Sequence, residues 1–185
     1  MCSSEPPAAQ PEQVLRFWVE AGPSRWFRKD AAFDDEFRSR FLAAHQAARR
    51  GELDTWARSP QSCLALLILL DQFPRNAFRG TAAMFETDSQ ALAIARDAVD
   101  AGFDAAVDPS LRNFFFLPFM HSENLADQER GVALALQIGG EELRFALMHR
   151  DIIRRFGRFP HRNALLGRSS TQDEQRFLDE GGFSG

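Results

Sequence analysis

Three short stretches of this chain pass abruptly from apolar residues to ionisable ones. Asp71-Gln72-Phe73-Pro74-Arg75-Asn76 closes one apolar run, and Pro118-Phe119-Met120-His121-Ser122-Glu123 closes a second. Phe159-Pro160-His161-Arg162-Asn163 closes a third, helical stretch. Side chains of these types at three helix ends would line one polar pocket if the fold gathers them. His121 and His161 are the candidates for proton transfer, because imidazole has an ordinary pKa closest to neutrality. Asp71, Arg75, Asn76, Glu123, His149, Arg158, Arg162 and Asn163 are the candidates for holding a ligand. Arg presents a planar fork of donors that fits a carboxylate or phosphate through two bonds, so an anionic small molecule or a peptide is the ligand class in view.

Each candidate also has a plainer reading. Asp71 and Arg75 stand four apart, the spacing of an ion pair that fixes a turn, and an unpaired buried Asp would be costly. Arg154, Arg155, Arg158 and Arg162 could form a solvated basic helix end, and His149 could simply pack within an amphipathic helix. His45, among Ala and Arg, reads as an exposed surface residue. His121, Glu123, His149 and His161 contain suitable metal-binding atoms, but without HExxH or any compact spacing no metal is assigned. Ser122 adjoins His121, yet GxSxG is absent. There is also no GxxxxGK[ST] phosphate loop and no cofactor fingerprint.

Composition narrows the class further. The chain has 185 residues, a single-domain length, with 18 Phe, 3 Trp and no Tyr. Phe brings apolar area without a hydroxyl that needs a partner, so most of these rings belong in a core. Net charge is −4, which disfavours a broad nucleic-acid surface. Residues 141–162 depart from that average: six Arg against three acids give +3, leaving −7 elsewhere. Cys2 and Cys63 are the only cysteines, too few for a disulfide framework, and Cys63 begins an apolar run as a small core residue. The longest apolar run, Cys63–Leu70, is far short of the roughly 20 residues that span a bilayer. No signal peptide is visible, and a reducing cytoplasm is the expected location.

The elements that must position these residues are helical. Residues 1–10 read as a disordered tail and 181–185 as a flexible one, with a single domain over 11–180. Pro11 suits a first helical turn, and Gly22-Pro23 ends that helix. Asp30 caps a helix to about Arg50, with Phe33, Phe37, Phe41 and Ala44 on one face. Ser59-Pro60 starts a helix whose Leu64–Leu70 segment is apolar on every side and therefore central; Pro74 is expected to turn the chain away from it. Further helices open at Thr87 or Asp88, at Asp108-Pro109 and at Ser122 or Asn124, with Pro118 bending or ending the one that contains it. Leu143, Phe145, Met148, Ile152 and Phe156 stripe a helix that Gly157 stops. Thr171 followed by Glu174 is a capping box for a last short helix. The sum is an all-α fold of seven or eight helices in antiparallel pairs, without a strand pattern or a fixed 34-residue repeat.

Several phrases, taken in order, resemble the bacterial family called domain of unknown function 924. They are Phe17-Trp18, Trp26-Phe27, Leu69–Asn76, Phe78–Gly80, Leu117–Glu123, Asp127–Glu129, His149–Asn163 and Leu166–Arg168, and the resemblance covers about residues 11–180. It implies a helical superhelix distantly similar to tetratricopeptide repeat proteins. It brings no catalytic assignment, so the matched polar residues are only the places to look. The leading expectation is a helical binding module for a peptide or an anionic small molecule. The alternatives are an enzyme using His121 or His161 in acid–base chemistry on a carboxylate- or phosphate-bearing metabolite, and a homo-oligomeric structural protein with a covered Phe/Trp-rich groove.

Overall fold

The structure, a computed structural model, describes residues 9–184; most of the expected N-terminal tail lies outside the described residues. It is all-α, with α-helices and short 3₁₀ turns and, among the described residues, no strand. By Cα proximity the chain forms two compact units. The first comprises Met1–Arg79 and Ala83–Phe115, the second Gly80–Ala82 and Phe116–Gly185.

The first unit holds α1 (Pro11–Ala21), α2 (Pro23–Trp26), α3 (Ala31–Arg49), α4 (Pro60–Leu67), α5 (Phe73–Ala77) and α6 (Asp88–Asp100). Pro11 and Pro60 stand at helix starts, and the Asp30 carboxylate accepts the Phe33 N–H, as local signals require. Helix α1 packs on α4 and α3 on α5. The core is aromatic: Phe17 stacks on Phe33 and Phe37, and Trp18 stacks on Trp26, whose indole N–H donates to the Trp18 carbonyl at 2.6 Å. Every residue from Cys63 to Leu70 is buried, as the all-round apolar pattern requires of a central helix. Burial pushes the Cys63 thiol up to about 12, so it is an inert core group.

Pro74 does not turn the chain away. The helix continues through it by widening into a π turn over Ile68–Gln72, in which the Phe73 N–H donates to the Ile68 carbonyl. Proline has no N–H, so it cannot serve the carbonyl of Leu70 in α register or of Leu69 in π register. Other helices serve both: His45 Nδ1 lies 2.9 Å from the Leu69 oxygen, and the Thr87 hydroxyl donates to the Leu70 oxygen. His45 is therefore buried at 3 % exposure, not on the surface. Because a carbonyl only accepts, its Nδ1 carries the proton.

The second unit holds α7 (Leu117–His121), α8 (Leu125–Ala135), α9 (Gly140–Phe156) and α10 (Gln172–Asp179). Pro118 sits in the first turn of α7, where a missing N–H costs nothing; it begins a helix instead of ending one. Asn124 caps α8 by accepting the Ala126 N–H, and Gly157, at φ 71°, ends α9. Helices α8 and α9 form the most extensive helix pair of this unit. Gly131 lets α8 approach α7 closely, since a Cβ there would lie 3.2 Å from that of Phe119. Ile152, Ile153 and Phe159 form a buried core on α9 and the turn after it, with Phe156 partly buried against them. Phe145, expected on this packed face, is exposed, and the buried residue of that turn is its neighbour Ala146.

Candidate functional site

In the second unit two of the three phrases meet. Helix α7 ends at His121, and Gln128 of α8 collects the carbonyls released there: its Nε2 donates to Met120 O at 2.8 Å and Ser122 O at 2.7 Å. The Ser122 hydroxyl donates to Asp127 at 2.7 Å. After Gly157, Phe159 is held extended by the following Pro160, and a 3₁₀ turn covers Pro160–Arg162. The two segments are tied twice. Arg162 Nη2 donates to the His121 carbonyl at 3.1 Å, and Glu123 accepts the Phe159 N–H at 2.8 Å.

Arg168 then clamps Glu123 through two bonds, Nη1 to Oε2 at 2.7 Å and Nη2 to Oε1 at 3.0 Å. Its Nε donates to Asn163 Oδ1 at 2.9 Å, and the Asn163 amide reaches Ser170 Oγ and Glu174 Oε2. Glu174 is 2 % exposed and receives Arg158 on both oxygens, at 2.6 and 2.8 Å. Glu123, Arg168, Asn163, Glu174 and Arg158 thus form one continuous network. Arg158 holds the Glu174 carboxyl down at about 2, with Thr171 donating to it as well. Burial would raise Glu123, but Arg168 and the Phe159 N–H outweigh it and keep the group below the usual carboxylate range.

His161 stands apart from these matched charges. Its Nδ1 is shielded from solvent and has no hydrogen-bond partner in the protein. Burial first, then the charge of Arg162, brings its pKa down to about 4, so the ring is neutral at physiological pH. The Arg162 guanidinium lies 4.6 Å over the Phe159 ring. His149, 8 % exposed, meets Phe159 edge-on at 5.5 Å, and Phe183 meets both His149 and His161 edge-on, at 4.7 and 5.1 Å. Where Arg158 and Glu174 reach the surface they line, with Arg155, Phe156, Thr171 and Asp173, a depression of about 470 Å³. Among the described residues, no group of three or more His, Cys, Asp or Glu is placed to hold a metal ion.

The remaining phrase, Asp71–Asn76, belongs to the first unit. There Arg75 Nη1 lies 3.2 Å from Asp71 Oδ1 and 2.9 Å from Asp88 Oδ1, while Gln72 donates to Asp71 at 2.6 Å. Burial would lower the Arg75 pKa, but Asp71 and Asp88 reverse that and raise it. Asn76 donates to Asp34 on α3 at 2.7 Å, joined by Arg79 at 3.0 Å. These contacts join elements of the first unit: Asp34 and Asp88 lie at the starts of α3 and α6, where the helix dipole favours a carboxylate.

Sequence reasoning found one partner of most pairs and missed the other. Arg168, Asp34, Asp88 and Thr87 carry no local mark of their role. Glu174 was legible as a capping residue, and nothing in that signal shows that the same carboxylate receives Arg158.

Residues 14–182 match the family described as bacterial protein of unknown function, DUF924. The chain belongs to that family. It is also similar to the solved structure of a protein of unknown function from Agrobacterium tumefaciens, with 52% identity, covering 92% of this chain and 97% of that one, at a TM-score of 0.91. The comparison with curated proteins finds no match. Among the described residues of this DUF924 protein no helix is long and apolar enough to cross a membrane.

Proposed function

We propose that this DUF924 protein is a binding module for a peptide or an anionic small molecule, and that its second unit contains the site. The observation that carries this reading is His161: a shielded, neutral imidazole whose Nδ1 has no partner. Buried polar atoms in native proteins are satisfied, and one that is not points to a ligand or water. The surroundings are rigid, since Gln128 and Arg162 fix the end of α7 while Arg168 fixes Glu123. Phe183, partly buried, adds an aromatic ring beside His161.

The charge pattern limits the ligand. Arg158 and Arg168 are each held by two bonds to a glutamate of the protein, so a bare phosphate would have to compete with Glu174 or Glu123. A ligand that gives a hydrogen bond to His161 Nδ1 does not have to displace either of these pairs. Proton transfer by His161 is the weaker reading: a pKa of about 4 makes it a poor base at neutral pH.

The test is a titration of histidine-labelled protein, read by NMR, against short peptides and against dicarboxylic acids. Binding at the site shifts His161 and leaves His45 in place. If shifts appear only elsewhere, or if His161→Phe binds the same probes with equal affinity, the reading is wrong.

A further inference from the structure

We propose that the segment after α10 is a strap, with Phe183 as its clasp, and that release of this strap is what admits ligand to His161. The inference rests on the binding reading above and names the regulation of that site.

The turn that delivers Phe183 is specified by the chain. Helix α10 ends at Asp179, and the Gly181 and Gly182 N–H groups donate back to Leu178 O at 3.1 Å and Phe177 O at 2.9 Å. Gly181 has φ +79°, and a Cβ on Gly182 would lie 2.5 Å from the Phe177 oxygen and 2.6 Å from its ring. Only a pair of glycines allows so tight a reversal. Its result is a phenyl ring set in T-shaped contact with His149 and His161 together, at interplanar angles of 87° and 84°.

The clasp is also light. Phe183 is only partly buried, and the Gly182 bond is the last backbone hydrogen bond among those joining this segment to α10. A segment whose described ties are one partly buried ring and two turn bonds opens more readily than the core beneath it. Closing it shields an imidazole around which Arg162, Glu123, His121 and Arg168 all exert their charge. Opening it brings water, or a ligand donor, to Nδ1.

The strap is tested without any ligand, using the full chain, Phe183→Ser and Gly182→Val. Each is titrated by NMR on labelled histidines and treated with diethyl pyrocarbonate, with modified residues located by mass spectrometry. In the parent protein His161 titrates near 4 and reacts slowly. In both variants its pKa moves up toward the ordinary imidazole value, and its labelling quickens by about tenfold, the scale of losing such ring contacts. His45, buried in the first unit, stays unchanged in all three. Identical His161 behaviour in the three proteins overturns the strap, and so does a His45 change in step with His161, which would mean general loosening. A strap that opens on a site taking no probe would leave this inference standing and sink the binding reading instead.

Discussion

The Thr87 hydroxyl donates to the carbonyl of Leu70, the oxygen that Pro74 would serve in an ordinary helix if proline had an N–H. Two features far apart in the chain are thereby one device: a proline widens the central helix, and a threonine at the start of α6 satisfies what the widening releases. Thr87→Val keeps the shape and removes the donor. The variant is expected to lose about 1–3 kcal/mol, the cost of a buried unsatisfied carbonyl. Urea titration checks it, and a variant as stable as the parent would show that Leu70 has another donor.

Two buried histidines give the fold a dependence on mild acid. Burial lowers the pKa of His45, and burial lowers that of His161 to about 4, from ordinary values near 6.5. The unfolded chain then binds protons that the folded chain refuses, so stability falls as pH drops from about 6.5 toward 4 and is level above that window. His161→Gln removes one of the two protons, and its stability curve should be flatter across the same range. Denaturant midpoints measured at several pH values decide this; parallel curves would mean that His161 takes up its proton without opposition.

Glu174 adds a second loss of stability in the same direction, at lower pH. Its carboxyl is held at about 2 by Arg158, against an ordinary value of 4.5. The stabilisation is therefore present above pH 4.5 and is lost as pH falls toward 2. Glu174→Gln should be less stable than the parent at neutral pH, by an amount that shrinks through this window and disappears near pH 2. The Gln amide oxygen can still accept the Thr171 N–H, which Glu174 accepts at 2.7 Å, so the capping box and the helical signal from α10 should be retained. A constant difference at every pH would place the effect in packing instead of charge.

What could be read along the chain is what neighbours within a helical turn decide. The Phe33, Phe37, Phe41 spacing, the Asp30 and Thr171 caps, the Pro60 start and the Gly157 stop all act over three or four residues, and each stands where its local chemistry puts it. Proline was the local signal that misled. Pro74 and Pro118 were read as breaks, but whether a proline breaks a helix depends on who supplies the missing bonds. For Pro74 those donors are His45 and Thr87, on two other helices.

The site divides the same way. Residue types marked His121, Glu123, Arg158, His161, Arg162 and Asn163 as chemically able, and the DUF924 phrases marked the same stretches. Their partners were out of reach: Glu123 meets Arg168 across 45 positions and Phe159 across 36, and Arg158 meets Glu174 across 16. By itself, then, the sequence determined the helices, their ends and the polar residues on offer. Only the tertiary structure decided which charges cancel, that His45 is buried, and that His161 keeps a nitrogen without a partner. Helical order arises from contacts a few residues apart, whereas pairing of side chains waits on the packing of whole helices.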